Sequence, residues 1–357
     1  MIPRDNKESI NQSNQNSNIY INIIIKRHNR PHNLRTTMTT SATRQSKKQQ
    51  YDPNKGYEEL AQSLIELMEK GVNPFRRSWT REAQHTNFVT GEEYQNGNLI
   101  CLEIARVTRN YKSPYWCGFA QAKKYGLKMI KGSKGSIILR PVAMKKPLLD
   151  QDGQPIRDAL GNPEFSCFTI FTPCRVFNLD CFEKTDKVEN RLQELNKEVA
   201  VQQTPISANE SKAIKQLMNY METHNIDFSE SGNQAFYDPT FDSITVPNKE
   251  RFESISLFCS VTAHESVHSS GADKKGRLAM VVITVIKATF GSDLYATEEL
   301  IAETGAFLIC NDLQIDSNND VHASYLDSWI KRLRKEPKHL LTVIGHAVKA
   351  KNLILGS

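Results

Sequence analysis

The chain has 357 residues, a net charge of +6 from 46 Lys and Arg against 40 Asp and Glu, and a hydrophobic content of 39%. That length suits two ordinary domains, and the absence of any run of about 18 apolar residues excludes a membrane-spanning helix. Seven cysteines without a Cys-x-x-Cys pair exclude a cysteine zinc knuckle and read as reduced thiols of a cytoplasmic protein.

Residues 1–50 are polar, hold nine Lys or Arg against two Asp or Glu, and lack periodicity, the composition of a disordered basic tail. Ile21 to Ile25 is too short for a secretory core. Met38 opens Met-Thr-Thr-Ser and offers an alternative start, which would leave residues 1–37 untranslated. The spacing of Tyr57, Leu60, Leu64, Leu67 and Met68 predicts a helix over 54–70, ended by Gly71. Further helices are predicted near Gly97–Arg109 and Phe119–Tyr125. Met129 to Arg140 reads as a hairpin with a basic, Gly-rich tip at Lys131-Gly132-Ser133-Lys134-Gly135. Residues 145–165 hold Asp152-Gly153 and Gly161-Asn162 turns and read as an excursion from the sheet. Phe165–Asn178 alternates as strand. This half, residues 51–182, contains the strongest charge block: eleven Lys or Arg against two Asp or Glu over 101–150. Sequence-tolerant binding of single-stranded DNA needs cations for phosphates and flat rings for bases. Arg76, Arg77 and Trp79, then Tyr115 and Trp116, interleave both, and Lys128, Lys131 and Lys134 line the expected tip.

Residues 183–206, charged and Gln-rich, read as a linker or a solvated helix, leaving 207–357 as a second, mainly helical domain. Ala235 to Pro247 reads as a hairpin whose Ile244-Thr245-Val246 is an exposed edge able to hold an extended peptide by strand addition. His264-Glu265-Ser266-Val267-His268 is an H-E-x-x-H pentad within a helical pattern closed by Gly271, expected as a left-handed cap. Residues four apart share a helix face, so His264 and His268 can grip one Zn2+ while Glu265 lies beside a water as general base. The helical stretch 295–309 supplies Glu299 as the third ligand. Glu303, four residues on, would orient a ligand histidine, whereas Glu298 is expected to point elsewhere on the helical wheel. Tyr295, His322 and Tyr325 are candidate oxyanion donors; alternatively each is a packing or surface residue.

From about residue 51 the chain resembles ArdC-type antirestriction proteins of conjugative plasmids, which are related to the N-terminal part of TraC-type primases. The resemblance is carried by Asn87-Phe-Val-Thr-Gly91 with Tyr94 and Asn98, Ser113-Pro-Tyr-Trp116, Phe119-Ala-Gln-Ala122, Lys131-Gly-Ser-Lys-Gly135 and Val176-Phe-Asn178. It continues through the pentad, Phe290-Gly291, Tyr295-Ala296, Glu298-Glu299-Leu300, Ala302-Glu303, and His322 with Tyr325 and Trp329. Two departures stand out: Tyr94-Gln-Asn-Gly-Asn98 lacks the family's Arg, and Ser269 replaces an aromatic after the pentad. The resemblance implies an α+β fold of two domains. An N-terminal α+β single-stranded-DNA-binding domain, with Asn87, Tyr94 and Asn98 at the nucleic acid, precedes a mainly helical zincin-like metallopeptidase domain. The implied role is protection of transferred DNA, with an unidentified protein as substrate. The alternative is a single-strand-coating protein whose metal site is structural and inactive.

Overall fold

The computed structural model describes residues 52–72, 75, 84–150, 152–202, 205–274, 276–278, 293–317 and 323–357. The basic tail 1–50 therefore lies outside the described residues, as do Arg76, Arg77, Trp79 and His322.

Helix α1 (Pro53–Glu69) starts where Asp52 accepts the Asn54 N–H at 2.9 Å and proline fills the first helical position. It buries Leu60, Leu64, Ile65, Leu67 and Met68. Gly71 ends it at φ +69°, donating to the Met68 carbonyl. Strand β1 (Thr86–Asn87), α2 (Gly97–Arg109), β2 (Tyr115–Gly118), α3 (Phe119–Tyr125), β3 (Ser136–Pro147) and β4 (Phe165–Asn178) follow. The four strands form one sheet in the order β1-β2-β4-β3, with β1 and β2 parallel and the other pairings antiparallel.

The hairpin expected over 129–140 does not form. Met129 instead bridges Phe182, and β3 pairs with β4 through twelve registers from Ser136↔Val176 to Pro147↔Phe165. Residues 145–165 are the outer part of this long hairpin, continued by bridges Leu149↔Pro155 and Arg157↔Pro163. Gly153 and Gly161 take positive φ in its turns. Residues 183–206, expected as a linker or a solvated helix, contain α4 (Asp186–Gln202). Its Val188 and Leu195 pack with Phe88, Tyr115 and Phe182 in a small core under the sheet.

The second half comprises α5 (Ile206–Thr223), β5 (Asp227–Glu230), β6 (Phe236–Asp238), β7 (Ser243–Val246), α6 (Ile255–Ser270), α7 (Asp293–Leu313), α8 (Ala323–Lys335) and α9 (His339–Leu355). Its sheet order is β5-β7-β6, so Ile244-Thr245-Val246 is the central strand, paired on both sides, rather than the expected edge. The antiparallel outer strand is β6. Helix α6 begins with Ser254 Oγ accepting the Leu257 N–H. It is closed at Gly271 in a right-handed conformation (φ −85°), not as a left-handed cap. A Cβ on Gly305 would sit 2.7 Å from Val267 Cγ2, so α6 and α7 cross closely because that position is glycine.

The architecture is two-domain, with mixed α and β, but one apolar core runs through both halves. Leu60, Leu64, Ile100 and Leu139 belong to the same cluster as Phe258, Leu300, Phe307 and Ile344. Phe75 meets Phe307 edge-on at 6.2 Å. Buried Lys351 of α9 donates to Asp312 at 2.7 Å and to Asn96 at 2.8 Å, joining α7 to the turn before α2.

Candidate metal centre and nucleic-acid surface

Helix α6 is buried on nearly all sides, and its polar groups converge on α7. His264 Nε2 and His268 Nε2 face each other at 3.1 Å. Glu299 of α7 lies with Oε2 3.4 Å from His264 Nε2 and Oε1 3.7 Å from His268 Nε2. The ligating atoms of these three residues all lie within 4.8 Å of one another. The sequence-derived triad is therefore brought together.

The rear nitrogens of both rings face carboxylates. His268 Nδ1 is 3.0 Å from Glu298 Oε1, a hydrogen bond. His264 Nδ1 is 3.5 Å from Glu303 Oε1, an ion-pair distance. Glu303 stands where the sequence reading placed it. Glu298 does not point away as expected: it is 2% exposed and holds the second histidine. The wheel misses it because it ignores how long glutamates reach around a closely crossing helix. Glu298 Oε2 is buried without a hydrogen-bond partner.

Charge follows geometry. Burial alone would lower His268, but Glu299, Glu298 and Glu265 raise it to about 10. Burial likewise opposes, and Glu299 and Glu303 reverse, the shift of His264, which is raised. Glu299 is lowered to about 2: burial is overcome by His268, His264 and a hydrogen bond from Tyr295. Glu298 is raised, because burial exceeds the help of His268. Two ring nitrogens aimed at each other across 3.1 Å, with a carboxylate beside both, cannot each carry a proton comfortably. The donor set fits one divalent cation, with two imidazoles and a carboxylate as ligands and carboxylates behind. Glu265 is buried, and its charge acts on both histidines. Of the oxyanion candidates, Tyr295 lies in the site against Glu299, His322 is outside the described residues, and Tyr325 falls in α8.

The residue after the pentad is tied down in its own way. Ser269 Oγ donates to the Ser266 carbonyl and lies 3.0 Å from the Tyr220 hydroxyl of α5. Arg277 reaches the Ser269 carbonyl and pairs with Asp242, whose Oδ1 also accepts from Tyr237 of β6. The pentad helix and the sheet are thereby pinned together.

The nucleic-acid residues divide. Lys128, Lys131 and Lys134 are exposed, as a phosphate contact requires. Tyr115 and Trp116, expected as stacking faces, are core residues at 3% and 0% exposure. They are neighbours on a strand covered on both faces, so alternation buries both. The Tyr115 hydroxyl donates to Asn196, and the Trp116 indole donates to His85 Nδ1 at 3.0 Å. Indole nitrogen can only donate, so His85 carries its proton on Nε2 and gives it to Glu103 at 2.8 Å. Asn98 spends both amide atoms on the backbone of Leu139, joining α2 to β3. Asn87 accepts from the Val89 and Thr90 N–H groups and donates to Tyr94 and Gln121. Asn98 is thus a structural strut, and Asn87 shapes its own turn.

Comparison with known proteins follows the same division of the chain. Residues 54–159 match the N-terminal domain of anti-restriction factor ArdC, and residues 215–345 match a zincin-like metallopeptidase domain. Two DNA primases named TraC from Escherichia coli are 28% and 25% identical over 315 residues each. Those matches take in 85% and 84% of this chain but only 20% and 27% of the primases. An uncharacterized protein of Sinorhizobium fredii is 25% identical over 326 residues, covering 87% of this chain and 92% of that protein. The metal-free crystal structure of the antirestriction ArdC protein from plasmid R388 superposes with a TM-score of 0.58 at 25% identity, over 84% of this chain and 96% of that one. Its Mn(II)-bound structure gives 0.53 at 24% identity, over 84% and 97%. No helix among the described residues is long and apolar enough to cross a membrane.

Proposed function

The chain belongs to the ArdC family of antirestriction proteins, with an ArdC N-terminal domain ahead of a zincin-like metallopeptidase domain, and we propose that it binds single-stranded DNA and cleaves a protein substrate in the cytoplasm, protecting DNA during transfer. The observation that carries the enzymatic half is the convergence of His264, His268 and Glu299 with Glu265 beside them. His264, His268 and Glu299 would hold a zinc ion, leaving a position open. Bound there, the ion supplies Lewis acidity to a carbonyl and acidifies water.

The chain's own residues do the rest. Glu265 receives the proton from the attacking water and passes it to the leaving amine. Glu298 and Glu303 keep the two rings oriented from behind. Tyr295 steadies the developing oxyanion, exchanging its hydrogen bond to Glu299 for one to the substrate. An extended peptide has the outer strand β6 available for strand addition, the role the sequence reading gave to Thr245. The accessible Lys128, Lys131 and Lys134 support DNA binding.

The test is metal content and peptide hydrolysis in the full chain beside Glu265→Gln. Stoichiometric zinc in both proteins, with hydrolysis of an unfolded-protein substrate lost only in the variant, is the expected result. Zinc retained in both with no Glu265-dependent hydrolysis would leave a DNA-binding protein with a structural metal.

A further inference from the structure

The β3–β4 hairpin extends well past the part of the sheet that carries the core. From Arg140↔Thr172 outward its residues are exposed or only partly buried. Side chains alternate between faces, so the register places Pro141 with Phe171, Ala143 with Thr169, Lys145 with Cys167 and Pro147 with Phe165 on one face. On that face Phe171 is 54% exposed and Phe165 49%. Lys145 lies between the two rings in the register. The strand is fixed where the first ring projects, because the Tyr57 hydroxyl donates to the Phe171 carbonyl at 2.7 Å.

Charge narrows what could cover these rings. Strands β3 and β4 hold Arg140, Lys145 and Lys146, with Arg175 paired to Glu59, and no Asp or Glu of their own, and the loop before β3 adds Lys128, Lys131 and Lys134. The far turns carry the opposite sign on balance, with Asp150, Asp152, Asp158 and Glu164 against Arg157. A polyanion would be attracted to the stem and repelled at the tip. A polyanion that also meets exposed rings must present flat π-faces, which unpaired bases do and a duplex does not.

We infer that this hairpin face is a stacking platform for single-stranded DNA, with bases on Phe171 and Phe165 and a phosphate at Lys145. The inference rests on the DNA-binding reading above and locates it. It takes over the stacking role that the buried Tyr115 and Trp116 cannot fill.

The test uses the full chain and a fluorescein-labelled deoxythymidine 20-mer read by anisotropy across a salt series. Phe165→Leu/Phe171→Leu keeps the apolar area and removes the rings. It is expected to weaken binding at least ~10-fold, while Phe165→Tyr/Phe171→Tyr stays within about 3-fold of wild type. Lys145→Ala should reduce the salt slope by about 0.7. Unchanged metal content and thermal melting in each variant establish that the fold is intact. If wild type binds and the leucine pair binds as well, the platform is overturned while DNA binding stands. If wild type does not bind at low salt, the DNA-binding reading itself fails. A leucine pair that changes only the oligomeric state would assign the face to a second copy of the chain and overturn the inference.

Discussion

Glu298 stands directly behind His268 at 3.0 Å with almost no exposure, and its partner oxygen is unbonded. Removing it frees the ring to tilt, so Glu298→Ala should weaken zinc binding by about 10–100-fold. Glu298→Gln, which still offers an acceptor, should lose less; competition against a fluorescent chelator reads both. Equal affinities in all three proteins would show that α6 alone orients the ring. Glu103 is buried against His85. Burial would push its carboxyl up, but hydrogen bonds and charge from His85 and Arg106 hold it well below the usual range. A depressed folded value stabilises the protein above the ordinary carboxylate range and loses that contribution as pH falls below about 4.5. Glu103→Gln should therefore melt earlier at pH 7, by about 3 kcal/mol of stability. It should also show a shallower decline between about pH 5 and pH 3 than wild type. At this scale the pairing of His264 and His268 was legible, since helix periodicity alone puts both on one side. Glu298 was not, because its role depends on how near another helix passes. The rings of Tyr115 and Trp116 were misplaced for a related reason: adjacency to lysine in sequence says nothing about which faces of a strand are covered.

Among the elements, the crossing of α6 and α7 decides whether the site exists. Val267 is buried and β-branched, and its methyl groups occupy the space a Cβ at Gly305 would need. Gly305→Ala should cost about 1–3 kcal/mol by overpacking and should weaken metal binding in parallel. Val267→Ala in the same chain should restore much of the metal affinity while leaving the melting temperature low. Isothermal titration with zinc beside thermal melts separates the two effects, and a double variant no better than Gly305→Ala would contradict the crossing argument. Helices were readable because their signals are local: leucines repeating at helical spacing, with Gly71 as a stop. Strand partners were not. Nothing in Met129-Ile130 reveals that its partner lies at Phe182 rather than just across a turn. Nor does Ile244-Thr245-Val246 reveal that Asp227–Glu230 returns beside it.

Among the described residues, the two halves share one apolar core and should unfold as one cooperative unit. Leu139 from the N-terminal sheet and Ile344 from α9 lie in one cluster, Gly97 allows α2 to approach Ile344, and Lys351 bridges Asp312 to Asn96. Calorimetry of the full chain should give a single transition. Two resolved transitions, or a stable fragment ending near residue 206, would show that the shared core contributes little. The domain order could be read from composition and from the position of the pentad, but the common core could not, since apolar residues on separate helices carry no mark of their partner.

Two of the three tryptophans divide this single body optically. Trp116 is sealed in the N-terminal sheet with its indole on His85, and Trp329 is sealed in the other half with its indole on the Ala296 carbonyl, one turn from Glu299. Both should emit at short wavelength, resistant to aqueous quenchers, and each lies in a different chemical setting. With Trp79 replaced by phenylalanine, Trp116→Phe would leave a lamp beside the metal ligands and Trp329→Phe one inside the N-terminal half. Emission from the first should respond to metal and from the second to acid, so the chain carries its own pair of reporters without a label.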